Sequence, residues 1–169
     1  MTNPATGELV GEVPVASPAD VVAAAARARL AQPGWAALPF HRRADVLRRF
    51  HDRLFDARDE LLDTIQCETG KTRRDAFGEL VAVASTARHY LAYGKRYLAE
   101  ERRRGAVPLV TRARERRVPL GVVACITPWN YPFLLAIGDA LPALLAGNAL
   151  VTKPAEATPL SAELAARWL

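Results

Sequence analysis

At 169 residues and 18.4 kDa the chain has room for one domain or a large part of one. Half of it is hydrophobic, 24% is charged and the mean hydropathy is −0.01, which excludes a disordered tail and a coiled-coil rod and describes a soluble globular protein. Lys and Arg number 23 against 18 for Asp and Glu, a net charge of +5, and 20 of the cations are arginines placed beside carboxylates, as in Arg42–Asp45 and Arg58–Glu60. That pattern predicts a solvated, salt-bridged face. The denser clusters at Arg102–Arg104 and Arg112–Arg117 lack the interleaved aromatics or glycines of a nucleic-acid surface, so no nucleic-acid partner is expected.

Between Val118 and Thr152 the only charge is Asp139, but Pro119, Gly121, Pro128, Pro132, Gly138, Pro142 and Gly147 cut that run into pieces too short to span a membrane. Cys67 and Cys125 fit no metal or redox spacing, and the first residues carry no export signal, so the expected setting is the reducing cytoplasm.

In chain order, Asn3–Val15 alternates turn signals with Leu9, Val10, Val13 and Val15, which predicts an extended ribbon lying on the body. Ser17-Pro18-Ala19-Asp20 opens a helix expected to reach Leu30, before a Gln32-Pro33-Gly34 turn. Phe40, Ala44, Leu47, Phe50, Leu54, Leu61 and Ile65 recur at helical spacing and predict one long helix over Pro39–Glu68, ended by Gly70. Phe77, Leu80, Ala84, Ala87, Leu91, Gly94 and Leu98 mark its partner, and both stripes read as core. Ala106–Pro119 reads as two solvent-facing strands forming a ribbon.

Leu120–Ile126 is a continuous apolar β run, the pattern of a parallel strand covered on both faces. After the loop Thr127–Asn130 come a helix over Phe133–Ala146, a strand over Asn148–Thr152, the loop Lys153–Glu156, and a last helix over Pro159–Leu169. Strand, helix, strand, helix is the opening half of a doubly wound, Rossmann-like parallel sheet. The fold expected is therefore α/β and incomplete: residues 1–105 as ribbon and long helices, 106–119 as a strand pair, 120–169 as the first half of the cofactor-binding sheet. Ligands on such sheets sit beyond the carboxyl ends of the strands, where both loops lie.

Thr69-Gly70-Lys71-Thr72 imitates the end of a phosphate-binding loop, but Ile65 stands where that motif needs glycine and a helix precedes it, so NTP hydrolysis is rejected. The Gly-x-Gly-x-x-Gly fingerprint is absent. His41, His51 and His89 fall on polar or boundary helix faces, only His41 with a carboxylate one turn away at Asp45, and no metal site is expected. Asn130 is more informative. Pro128 and Pro132 fence its loop, so its amide could point rigidly at a developing oxyanion, or it could close a turn on its own backbone. Lys153 and Glu156 could bond ribose hydroxyls; equally, one could be a solvated loop lysine and the other could help to start the last helix.

Leu120-Gly-Val-Val-Ala-Cys-Ile-Thr-Pro-Trp-Asn-Tyr-Pro-Phe133, then Leu141-Pro-Ala-Leu-Leu-Ala-Gly-Asn148, then Lys153-Pro-Ala-Glu156, strongly resemble the NAD(P)-dependent aldehyde dehydrogenase superfamily. Asn3–Glu8, Trp35–Pro39 and Glu68-Thr-Gly-Lys71 resemble its N-terminal signposts, in order, so the resemblance covers the whole chain; the succinate-semialdehyde dehydrogenase group is the most similar in appearance. The resemblance implies that Asn130 donates to the oxyanion formed when a cysteine attacks an aldehyde. It also implies that Ile126, Thr127, Pro128 and Trp129 line the nicotinamide side of the groove and that Lys153 and Glu156 hold the adenosine ribose. A carboxylate at Glu156 should repel a 2′-phosphate and favour NAD, although relatives of the succinate-semialdehyde type often use NADP.

The resemblance further implies a small aldehyde as substrate and homo-oligomerisation of the full-length form through Ala106–Pro119. It places the nucleophilic cysteine, the general-base glutamate and the glycine-bearing loop downstream of Leu169. Cys67, in a helix, and Cys125, in a buried strand, lack an activating base, so this chain alone is expected to be inactive, with an exposed strand edge and apolar face. The alternative is a non-catalytic dinucleotide-binding or protein-interaction module.

Overall fold

The computed structural model describes residues 1–107 and 110–169. The N-terminal ribbon is closed by a Thr2–Leu9 bridge and lies on the body, with Gly11 against Leu160. Helix α1 (Pro18–Ala37) starts in a capping box, the Ser17 hydroxyl accepting the Asp20 N–H and the Asp20 carboxylate accepting the Ser17 N–H at 2.8 Å. It continues through Pro33 and Gly34, where a turn was expected. Tertiary bonds override those residues' propensities, because Gln32 donates to the Gly147 carbonyl at 2.9 Å and the Trp35 indole to that of Leu144 at 2.8 Å.

The predicted helix over 39–68 is two, α2 (Phe40–Asp56) and α3 (Arg58–Thr69), broken at Ala57. Asp59 and Glu60 in the first turn of α3 suit a fresh N-terminus, and the apolar stripe continues across the break. Leu47, Phe50, Leu54, Leu61 and Ile65 are all fully buried. Gly70 ends α3 in the left-handed region at φ 72°, where a Cβ would stand 2.9 Å from Pro4. Helix α4 (Arg73–Tyr97), capped by Thr72, buries Leu80, Ala84, Ala87 and Gly94, whereas Phe77 is exposed.

Strands β1 (Glu101–Arg104) and β2 (Arg112–Glu115) pair antiparallel. The ribbon thus begins earlier than Ala106, and its expected positions 108 and 109 lie outside the described residues. An all-charged strand carries no apolar alternation to announce it. Its arginines are paired, Arg103 with Glu101 and Glu115 at 2.7 and 2.6 Å, and Arg117 with the same two acids at 2.9 and 3.2 Å.

Strands β3 (Val122–Ile126) and β4 (Ala149–Lys153) form a parallel pair in the register Val122–Ala149 to Ile126–Lys153. The single helix expected between them is two short ones, α5 (Pro132–Ile137) and α6 (Ala140–Leu145), and α7 (Leu160–Trp168) follows β4. Pro142 explains the break, since its ring would meet the carbonyl of Gly138 in a continuous helix. The expectation that β3 is covered on both faces does not hold: none of its residues is buried, and Ile126 is 80% exposed. A two-stranded sheet partly covered by α1 and α6 leaves part of its surface open.

One core unites α2 through α7. Buried Arg43 ties the ends of α1 and α6 together by donating to the carbonyls of Leu145 (3.0 Å), Ala36 (3.1 Å) and Leu38. Among the described residues, no helix is long and apolar enough to cross a membrane.

Candidate functional site

The parallel register places the carboxyl ends of β3 and β4 side by side, and the Thr127 N–H donates to the Lys153 carbonyl at 3.1 Å, extending the ladder by one step. The loops Thr127–Asn130 and Lys153–Glu156 therefore leave from the same edge. This is the crevice position at which open parallel sheets bind ligands.

The predicted residues occupy that edge in two states. Ile126, Pro128, Trp129 and Asn130 are exposed, Trp129 to 66%, while Thr127 is buried with its hydroxyl among the unpartnered buried groups. Among the described residues the Asn130 side chain bonds neither its own backbone nor a neighbour, so it does not close a turn. Lys153 and Glu156 are exposed and face each other at 3.5 Å. Glu156 does not start α7, which begins four residues later.

That helix is capped from elsewhere. Buried Glu68 accepts the Leu160 and Ser161 N–H groups at 2.8 and 3.1 Å, and the Ser161 hydroxyl. Burial pushes its carboxyl above the ordinary glutamate range, opposed by those three donors. Glu79, fully buried, does the same for α5, accepting the Phe133 and Leu134 N–H groups at 3.1 and 3.0 Å while Lys71 Nζ lies 2.5 Å from its other oxygen. Lys71 Nζ also sits 4.0 Å from the centre of the Tyr131 ring, the residue after Asn130. The sequence reading named Glu68 and Lys71 in a family signpost, without these roles, and missed Glu79. The available signal was an acid on an apolar stripe: Glu68 follows Leu61 and Ile65, and Glu79 lies between Ala76 and Val83, at helical spacing.

Neither cysteine lies on the two loops: Cys67 is in α3 and Cys125 in β3. Burial, reinforced by the charge of Asp139, raises the Cys125 thiol above its ordinary value, which opposes thiolate formation. Of the histidines, it is His51 that meets a carboxylate, Asp52 at 3.2 Å, while Asp45 pairs with Arg48 at 2.5 Å.

The exposed set fits a dinucleotide: a cation and a carboxylate abreast can share ribose hydroxyls, flat apolar side chains can flank a ring, and the Thr127 hydroxyl is a buried polar group without a partner. A parallel β–α–β–α unit with its polar loops gathered at the strand ends is the opening half of a Rossmann-like sheet. The sequence profile of the aldehyde dehydrogenase family matches residues 1–169, and the chain belongs to that family.

A putative succinate-semialdehyde dehydrogenase [NADP(+)] of Mycolicibacterium smegmatis is 46% identical over 154 residues, 91% of this chain and 30% of that protein. The crystal structure of succinate-semialdehyde dehydrogenase from Burkholderia pseudomallei superposes with a TM-score of 0.92 at 36% identity, covering 99% of this chain and 34% of that one. An NAD-dependent benzaldehyde dehydrogenase from Corynebacterium glutamicum gives 0.91 at 34% identity, covering 99% and 36%. The chain thus spans about a third of the length of these relatives, among which both NAD and NADP are named.

Proposed function

We propose that these residues supply the oxyanion donor and half of the cofactor groove of an NAD(P)-dependent aldehyde dehydrogenase that oxidises a small aldehyde, succinate semialdehyde foremost, to its acid. The observation that carries this is the shared edge: Asn130, with its amide unengaged, stands on one loop, and the Lys153–Glu156 pair stands on the adjoining one. The substrate is suggested by the names of the similar proteins.

In this reading the aldehyde carbon is attacked by a cysteine thiolate contributed from outside these residues, and the Asn130 Nδ2–H donates to the oxyanion that forms. Bound NAD or NADP supplies the hydride acceptor. Ile126, Pro128 and Trp129 flank the nicotinamide and exclude water, and the Thr127 hydroxyl offers a polar contact beside it. Lys153 and Glu156 hold the adenosine ribose, and the Glu156 charge favours NAD over its 2′-phosphorylated form. Residues 120–169 act as the half-site, 1–100 as its support, and the 101–115 ribbon, which pairs with no other strand among the described residues, as the contact for further copies of the enzyme. Both cysteines are free thiols, in keeping with a reducing cytoplasm, and neither serves as the nucleophile, so the 169 residues by themselves turn over no aldehyde.

Titration of the purified dehydrogenase with NAD and NADP tests the groove. Lys153→Ala should weaken NAD binding by about 10-fold, and Glu156→Gln should shift the NAD to NADP preference towards NADP by a similar factor. Unchanged affinities for both would remove Lys153 and Glu156 from the site.

A further inference from the structure

Asn130 has no side-chain anchor of its own, so the position of its amide is inherited from the backbone that carries it. On one side that backbone is held by β3. On the other side, Phe133 is buried in the core and the Tyr131 carbonyl accepts the Leu135 N–H, and the side-chain contacts that hold residues 131–134 lead to a single buried ion pair. Lys71 Nζ stands over the Tyr131 ring at 4.0 Å and 2.5 Å from Glu79 Oε1, and Glu79 Oε2 takes the Phe133 and Leu134 N–H groups. Pro132 fixes φ between the two points of attachment. Glu79 is fully buried and the Lys71 side chain is 18% exposed, so solvent does not screen the pair as it does the surface pairs of this chain.

Lys71 belongs to Glu68-Thr-Gly-Lys71, and Gly70 is what allows it to turn inward. The left-handed turn at Gly70 ends α3 and throws the chain under the Asn130 loop, where the next helix, α4, presents Glu79 two turns along.

We propose that Lys71 and Glu79 are positioning residues for the oxyanion donor: their ion pair clamps Tyr131 by its ring and residues 133 and 134 by their backbone, and so fixes where the Asn130 amide points. This rests on the reading of Asn130 given above. The clamp acts on transition-state geometry, not on cofactor or ground-state binding, and its loss reads out in kcat.

The test uses steady-state kinetics and melting of the whole dehydrogenase. Lys71→Met should lower kcat by about 10-fold or more while KM for aldehyde and the NAD dissociation constant change by less than about 3-fold. Because Lys71→Met strands a buried charge and can fail through instability alone, the double variant Lys71→Met/Glu79→Gln is the decisive one. It leaves no unpaired charge and keeps an oxygen for the two N–H groups, so its melting temperature should recover towards the parent while kcat stays low. Added to Asn130→Ala, either change should cost less than about 2-fold more, since the group it positions is gone. Recovery of kcat together with the melting temperature, or full additivity with Asn130→Ala, would overturn the clamp and leave a purely structural ion pair. If Asn130→Ala itself leaves kcat unchanged, the reading of Asn130 has failed instead, and the clamp with it.

Discussion

Asn130 and Glu68 show how little a residue's type says without its surroundings. Asn130 is an ordinary turn-former by sequence, yet it sits in the turn without bonding to it, which leaves its amide free to act outward. Glu68 is an ordinary helical acid by sequence, yet it is buried and caps the start of another helix 92 residues away. Burial holds its proton more tightly in the folded chain than in the unfolded one. Its ionisation therefore costs stability as pH rises from the ordinary glutamate value of 4.5 through the raised folded value. Glu68→Gln keeps an acceptor oxygen and cannot ionise. Melting temperatures followed against pH should show the variant gaining on the parent as pH climbs through that window, and parallel curves would show that Glu68 is fully compensated by its three donors.

The helices and strands were readable wherever a pattern of side chains reported on one face. The apolar stripe of α2 and α3 anticipated Leu47, Phe50, Leu54, Leu61 and Ile65 as core, and the Ser17–Asp20 cap was placed to the residue. The reading failed where a remote partner decides the local conformation. Pro33 and Gly34 stay helical because Gln32 and Trp35 are fastened to the carbonyls that end α6. The β1 strand is invisible because its arginines answer to acids on another strand. Arg43 is the clearest case: it lies on the core side of α2 and satisfies the carbonyl ends of α1 and α6 together with that of Leu38. Burial lowers the pKa of its guanidinium, yet the three acceptors keep it in place. Arg43→Met should cost about 3 kcal/mol of stability in urea unfolding, because it strands buried carbonyls as well as losing bonds to a charged donor. A loss below about 1 kcal/mol would mean that water replaces the guanidinium there.

For the molecule as a whole, the N-terminal helices brace the β–α–β–α unit. Three buried or nearly buried charged side chains, Arg43, Glu68 and Glu79, each cross from the helical part to an element of the β–α–β–α unit. The crevice loops inherit their placement from those links, while the sheet keeps exposed surface at Ile126, 80% accessible. The family motifs in the sequence pointed to the crevice residues and included Glu68, but gave no role to Glu68 or Glu79, whose partners lie 92 and 54 residues away. Aldehyde oxidation by the dehydrogenase with Asn130→Ala is the direct test of the site. The expected result is a kcat lower by roughly 10² to 10³-fold with NAD affinity unchanged, and no rescue by Asn130→Asp, whose carboxylate cannot donate. A kcat within about 3-fold of the parent would contradict the assignment of Asn130 as oxyanion donor.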